Sequence, residues 1–117
     1  MTAPFDKRQL PVLGVGLSFR TEMADAIYAR LEEFDFIEVI VDTAFWGLLH
    51  PDFYTRIVGR LPVLAHGVNA SLGSLDEARV DSSYLGQVRA EVARMGSPWL
   101  GEHLAFTKAA GVDAGQL

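Results

Sequence analysis

The feature that most constrains this fold is a strand-like run that ends in a histidine and leads toward a helix start. Residues 62–66 read Pro-Val-Leu-Ala-His, a short apolar run of the kind that forms a buried strand. A turn-rich segment with two glycines follows, and Ser74 and Glu77 then form the S-x-x-E pattern of a helix capping box. In α/β proteins such a loop lies beyond the carboxyl end of the strand, where ligands and metals bind. The pattern predicts an α/β protein with His66 at a candidate site, against the alternative of a core histidine bonded to a backbone carbonyl.

The same alternation of apolar runs and amphipathic segments continues along the chain and predicts four parallel strands. The predicted strands are 11–17, 36–41, 62–66 and 99–103. The predicted helices are 21–34, 51–59 and a third that begins at Ser74 or near Asp81 and is closed by Gly96 and Pro98. Short connections between alternating strands and helices imply right-handed crossovers and a parallel sheet.

Composition excludes several classes of protein. The chain has 117 residues, is 50% hydrophobic and carries a formal net charge of −5, which suits one small soluble domain. An acidic chain lacks the basic footprint that nucleic acid or an anionic membrane surface requires, so we expect neither as a partner. The chain has no cysteine, and no apolar run approaches the roughly 18 residues needed to cross a bilayer. We therefore expect a cytoplasmic protein.

A second histidine repeats the arrangement around His66. His103 ends the fourth predicted strand, and neighbouring strands lie about 4.8 Å apart. A metal ion lies about 2.1 Å from each imidazole nitrogen that binds it, so the two histidines are predicted to share one ion. Regular alternation lets only one of Glu102 and His103 face the same side as His66. We assign His103 as the ligand and Glu102 as its neighbour.

A third candidate, Glu38, lies in the middle of the second predicted strand. Alternation puts Glu38, Ile40 and Asp42 on one face, and a buried carboxylate there is costly unless it is paired or metal-bound. A salt bridge to Arg20 and a role at the site both satisfy this requirement, and Asp42 fits a turn cap. Two histidines and a carboxylate are a common ligand set for non-haem iron, and also occur with zinc or manganese.

Four short motifs together resemble a known family. In order they are Gly-Val-Gly-Leu at 14–17, Phe-Ile-Glu-Val at 36–39, His-Gly-Val at 66–68 with Ser-Leu-Gly-Ser at 71–74, and Glu-His-Leu-Ala at 102–105. Over about residues 12–107 the chain resembles the N-terminal half of the multinuclear non-haem iron oxygenases. These are relatives of the methanobactin-biosynthesis oxygenase and have a xylose-isomerase-like TIM barrel.

The resemblance implies a fold, an activity and partners. Members of that family bind two or three iron ions at the carboxyl end of the barrel. With dioxygen they modify residues, often cysteines, of ribosomally made precursor peptides, usually with a small partner protein that presents the peptide. By this resemblance His66 and His103 are metal ligands and Glu102 is a neighbour of the site. We take Glu102, together with Glu38 from its place in the second strand, as the candidate catalytic carboxylates.

The chain departs from the family pattern in two ways. Where the family usually has a histidine and then a Glu-Asn pair, this sequence has Ile40, Asp42 and Thr43. A full barrel needs about 250 residues, whereas this chain supplies the first four βα units of a TIM-barrel-like domain over 11–107. We expect a disordered lead-in over 1–10 and a flexible tail over 108–117.

Three alternatives follow from these departures. The chain is a fragment of a longer protein, a half barrel that pairs with another chain in a homo-oligomer, or a non-catalytic interaction protein. A zinc- or manganese-dependent isomerase-like barrel that uses the same two histidines is a further candidate.

Overall fold

Four parallel strands form the centre of the fold. The computed structural model describes residues 6–74, 81–109 and 111–115. The strands are β1 (Gly16–Ser18), β2 (Phe36–Ile40), β3 (Val63–Gly67) and β4 (Leu100–Glu102), and they neighbour one another in that order. Each pair is parallel, which confirms the predicted α/β fold of successive βα units and is consistent with part of a TIM-barrel-like fold.

The connecting helices are shorter than the sequence pattern predicts. They are α1 (Ala24–Tyr28), α2 (Asp42–Phe45), α3 (Phe53–Arg56) and α4 (Ser82–Met95). The predicted helix over 21–34 is instead a 3-10 turn, α1 and a second 3-10 turn, because Arg30 leaves the helical region with φ −133° and ψ 27°. The helix predicted over 51–59 contracts to α3, and α2 was not predicted.

Helix α4 has well-defined caps at both ends. Its N-cap is Asp81, whose carboxylate accepts a hydrogen bond from the Ser83 N–H at 2.8 Å. Gly96 ends it in the left-handed conformation with φ 64°, as the sequence predicts. Of the two predicted starts, α4 uses the one near Asp81. The capping box proposed at Ser74 extends to Glu77, which lies outside the described residues.

One face of the sheet carries the core. Ile37 and Val39 on β2, and Val41 just after it, are all at most 1% exposed, whereas Glu38 and Ile40 on the other face are half-buried. This alternation confirms the predicted facing of β2, with its helix-covered side apolar. We call the opposite side, which carries Glu38 and Ile40, the inner face.

After β4 the chain forms a short antiparallel pair, β5 (Lys108–Ala109) with β6 (Val112–Asp113). The sequence pattern indicates no regular structure there, so this prediction was wrong for part of the segment. Two-residue strands leave little trace in a Gly- and Ala-rich sequence, because they offer no alternation to detect. Among the described residues, no helix combines the length and the apolar character needed to span a membrane.

Candidate metal-binding site

The structure brings His66 and His103 together at the carboxyl ends of β3 and β4. Their ring centroids are 4.8 Å apart and the rings are inclined at 71°. His66 pairs in register with Gly101, and His103 lies two residues beyond Gly101, so both imidazoles belong to the inner face. Two metal–nitrogen bonds of about 2.1 Å reach across such a gap. The two side chains lie where the sequence predicts them, and their role as ligands stays a prediction.

A glycine makes room for the His66 ring. A Cβ added to Gly101 would lie only 3.0 Å from His66 Nδ1. The ring therefore lies against the bare backbone of β4, and a side chain at Gly101 would require it to shift by a few tenths of an ångström. His66 is half-buried in this position, whereas His103 is exposed.

Glu102 lies on the opposite side of β4 from the two imidazoles. It pairs in register with Gly67, and a Cβ on Gly67 would collide with the Glu102 carboxylate. The same carboxylate accepts a hydrogen bond from the His103 backbone N–H at 3.0 Å and one from the Tyr84 hydroxyl at 3.5 Å. Glu102 thus holds the backbone N–H of His103 from the side of β4 opposite the two imidazoles.

Asp42, which alternation placed on the face of Glu38 and Ile40 or at a turn cap, is a fully buried carboxylate. It is 0% exposed, and its Oδ2 accepts a hydrogen bond from the Val68 N–H at 3.1 Å. Within the described residues Oδ1 has no hydrogen-bond partner. The chain turns into α2 at Asp42, so strand alternation no longer fixes its facing. An acidic residue directly after a buried β-branched strand is the signal that marks it.

Burial sets the protonation of this group of side chains. It raises the pKa of Asp42 above its usual value, and hydrogen bonds from the Tyr84 hydroxyl and the Val68 N–H offset part of that rise. Burial likewise raises the pKa of Glu102, and the nearby charge of Asp42 adds to the rise. The pKa of Tyr84 is raised mainly by burial, so its hydroxyl stays protonated and remains a hydrogen-bond donor.

Glu38 lies apart from Asp42, Tyr84 and Glu102. It lies on the inner face in register with Ser18 and Leu64, two residues before Ile40, the residue that flanks His66. The salt bridge to Arg20, one of the two alternatives for Glu38, is absent from the described part of the chain. Instead, Arg20 Nη1 donates to the Ser18 hydroxyl at 2.9 Å and to the Phe19 carbonyl at 3.1 Å, so local acceptors satisfy it.

The donor set present fits two positions of a metal ion. Neutral imidazoles are the commonest nitrogen ligands for iron, zinc and manganese, and the two rings lie within reach of one ion. Within residues 6–74, 81–109 and 111–115, however, no three or more His, Asp or Glu side chains converge as a metal site. The described residues therefore offer this pair of imidazoles and no larger ligand group.

Comparison with known proteins places the chain in a family. Residues 14–117 match the family described as RiPP precursor modification enzyme MbnB/TglH/ChrH, where RiPP denotes a ribosomally made and then modified peptide. The chain is 35% identical to a UPF0276 protein of Streptomyces avermitilis over 89% of its own length and 21% of the relative. It is 31% identical to a UPF0276 protein of Acinetobacter baylyi, over 82% of this chain and 33% of the relative.

A third relative is a UPF0276 protein of Caulobacter vibrioides, 32% identical over 71% of this chain and 29% of the relative. The chain thus spans about a fifth to a third of the length of these curated relatives. No solved structure matches significantly.

Proposed function

This chain belongs to the MbnB/TglH/ChrH family of RiPP precursor modification enzymes, and on that premise we propose that it supplies two ligands to a non-haem iron centre that modifies a precursor peptide. The observation that carries the proposal is the 4.8 Å separation of the His66 and His103 rings at the carboxyl edge of a parallel sheet. That edge is where enzymes of this architecture hold their reactive groups.

Each residue of the site has a proposed role. His66 and His103 hold the metal, and Glu102 orients His103 through its backbone N–H. Iron, when bound, supplies the activation of dioxygen. Glu38, further along the inner face, is half-buried and positioned to contact the peptide or to accept a proton from it. Zinc or manganese is the alternative metal, because both accept imidazole ligands.

The proposed partners follow from the incomplete ligand set. Other ligands come from further strands of a longer chain or from a second copy of this one. The proposed substrate is a ribosomally made precursor peptide that a small partner protein presents. In this proposal the reaction takes place in the cytoplasm.

Metal titration of histidine variants tests the proposal. We expect purified protein to bind Fe²⁺ or its spectroscopic substitute Co²⁺ under anaerobic conditions, and His66→Ala and His103→Ala each to weaken binding at least about tenfold. His50→Gln is the matched control, because His50 pairs with the Tyr28 hydroxyl away from the site. Equal binding by all four proteins would refute the assignment of ligands.

A non-catalytic interaction protein is the second candidate. The observation that favours it is the lack of a three-ligand group among the described residues. It predicts that none of the proteins above binds Fe²⁺, Co²⁺, Zn²⁺ or Mn²⁺ at stoichiometric concentration. Elemental analysis of freshly isolated protein distinguishes iron from zinc and manganese if metal is found.

A further inference from the structure

The segment that carries His103 is not held in place by apolar packing. His103 itself is exposed, and two apolar side chains that follow it, Leu104 and Phe106, are 89% and 72% exposed. Their burial therefore adds little to the stability of this backbone. Hydrogen bonds therefore have the larger part in fixing this backbone.

Ser71 provides the acceptor for two of these hydrogen bonds. Its side chain is 2% exposed, and its hydroxyl oxygen accepts hydrogen bonds from the N–H groups of Thr107 at 2.7 Å and Lys108 at 3.1 Å. The same hydroxyl is 2.6 Å from the hydroxyl of Ser74. One buried oxygen thus joins the loop after β3 to the segment after β4. We call this set of contacts the Ser71 clasp.

Three further hydrogen bonds reinforce the clasp. The Gly73 N–H donates to the Ala105 carbonyl at 2.8 Å, and the Thr107 hydroxyl donates to Asn69 Oδ1 at 3.2 Å. Ser74 donates through its hydroxyl to the Lys108 carbonyl. Residues 69–74 and 105–108 are therefore linked at several points.

The clasp and the sheet together bracket His103. On its amino-terminal side, the His103 N–H continues the ladder by donating to the Gly67 carbonyl at 3.2 Å. On its carboxyl-terminal side, the chain is tied to the loop that leaves His66. The backbone bearing one imidazole is thus fixed on both sides to the segment bearing the other.

The backbone at Ser71 supports a specific use of its hydroxyl. Ser71 has φ 56°, and among the described residues it is the one non-glycine with positive φ. Glycine adopts this conformation at no steric cost, whereas a side chain there is disfavoured. A serine in this position accepts a steric cost in the backbone and supplies a buried hydroxyl oxygen that glycine would lack.

We propose that Ser71 is a positioning residue for the His66–His103 pair, acting through the backbone of residues 104–108. The part of this inference that concerns metal affinity rests on the function proposed above. The part that concerns the geometry of the pair does not.

Ser71→Gly tests the clasp directly, because it removes the hydroxyl and also relaxes the backbone at positive φ. We expect amide hydrogen exchange at Thr107 and Lys108 to accelerate at least about tenfold, while amides in the centre of α4 keep their rates. In the metal-free protein, cross-relaxation between the ring protons of His66 and His103 should disappear. Co²⁺ affinity should fall about 10- to 100-fold, the usual effect of losing a partner that orients a metal ligand.

Two companion variants sharpen the result. Thr107→Val keeps the side-chain volume but removes the bond to Asn69, so it should shift all three measurements in the same direction and by less. Ser83→Ala is the control, because Ser83 is an exposed serine in the first turn of α4. It should change none of them.

The outcomes separate the two proposals. Unchanged exchange at Thr107 and Lys108 in Ser71→Gly would overturn the clasp. Faster exchange with intact ring-to-ring cross-relaxation would show a merely structural contact and overturn the positioning role. If the wild-type protein binds no Co²⁺ but loses its cross-relaxation in Ser71→Gly, the proposed function fails and the positioning role stands.

Discussion

Gly101 lies beside the His66 ring on β4. Because a Cβ at this position would approach His66 Nδ1 to 3.0 Å, Gly101→Ala should shift the His66 ring by a few tenths of an ångström without removing either histidine. We expect Co²⁺ affinity to fall about tenfold, measured by titration against the wild-type protein. Gly86→Ala is the matched control, since a Cβ on Gly86 meets nothing within 4 Å. Equal affinities for the two variants would show that His66 does not need this space.

Asp42 should make stability depend on pH. Its pKa is raised by burial in the folded protein above the usual value of 3.8, so the folded state holds the proton more tightly than the unfolded chain. The associated stabilisation is complete below the unfolded pKa and is lost as the pH rises through the folded pKa. Asp42→Asn cannot titrate, so its free energy of unfolding should fall less than that of the wild type from about pH 4 to about pH 7.

Urea unfolding at a series of pH values measures this difference. Apart from Glu102, whose pKa rise is smaller without the Asp42 charge, the other titrating groups act alike in both proteins, so the difference between the two curves reports these two carboxyls. Parallel curves would mean that the carboxyl of Asp42 titrates as it does in the unfolded chain.

Sequence reasoning predicted part of the site for a clear physical reason. Strand alternation is a local rule, and it correctly separated His103 from Glu102 across β4. It did not reveal that Asp42 and Tyr84 meet near Glu102, because a strand end and a helix 40 residues further on meet only in the fold. The alternative of a Glu38–Arg20 salt bridge was wrong because it overlooked local contacts: acceptors next to Arg20 in the chain compete with the distant carboxylate.

Among the elements, α4 offers the cleanest test of helix energetics. Gly86 is exposed in the interior of this 14-residue helix, and alanine there would meet no other atom. Gly86→Ala should therefore stabilise the protein by about 0.5–1 kcal/mol, since glycine loses more backbone entropy than alanine in a helix. Thermal or urea unfolding measures the gain. A loss of stability instead would indicate that the outer face of α4 is packed against another surface.

The elements also show where pattern reading succeeds. A strand was predicted near each of the four, and the apolar runs at β2 and β3 mark buried parallel strands. The strand predicted over 11–17 was mostly wrong, because β1 begins only at Gly16 and Val12 and Val15 are exposed. The short helices were predicted poorly. Asp-Thr-Ala-Phe over α2 is too short to display a helical period, and apolar spacing over 21–34 marks the core-facing residues without distinguishing α from 3-10 turns.

At the scale of the whole molecule, the sheet is open. Strands β1 and β4 each have one neighbour among the described strands, and apolar side chains beside them are exposed, with Val15 at 76% and Leu100 at 42%. Open edges and exposed apolar surface favour pairing with another chain. We expect the 117-residue protein to self-associate, as measured by light scattering on purified material. A monomer that melts cooperatively would contradict this expectation.

The register between β2 and β3 bears on whether this chain depends on others for a metal. Ile40 pairs directly with His66, on the far side of His66 from Gly101, so the three positions form one row across the inner face. A histidine in place of Ile40 would stand about 4.8 Å from His66 along that row. Ile40→His should therefore convert a two-nitrogen chelate into a three-nitrogen one and tighten Co²⁺ binding, with a change in the visible spectrum. With this single substitution the chain would offer three imidazoles of its own and depend less on ligands from another chain or segment.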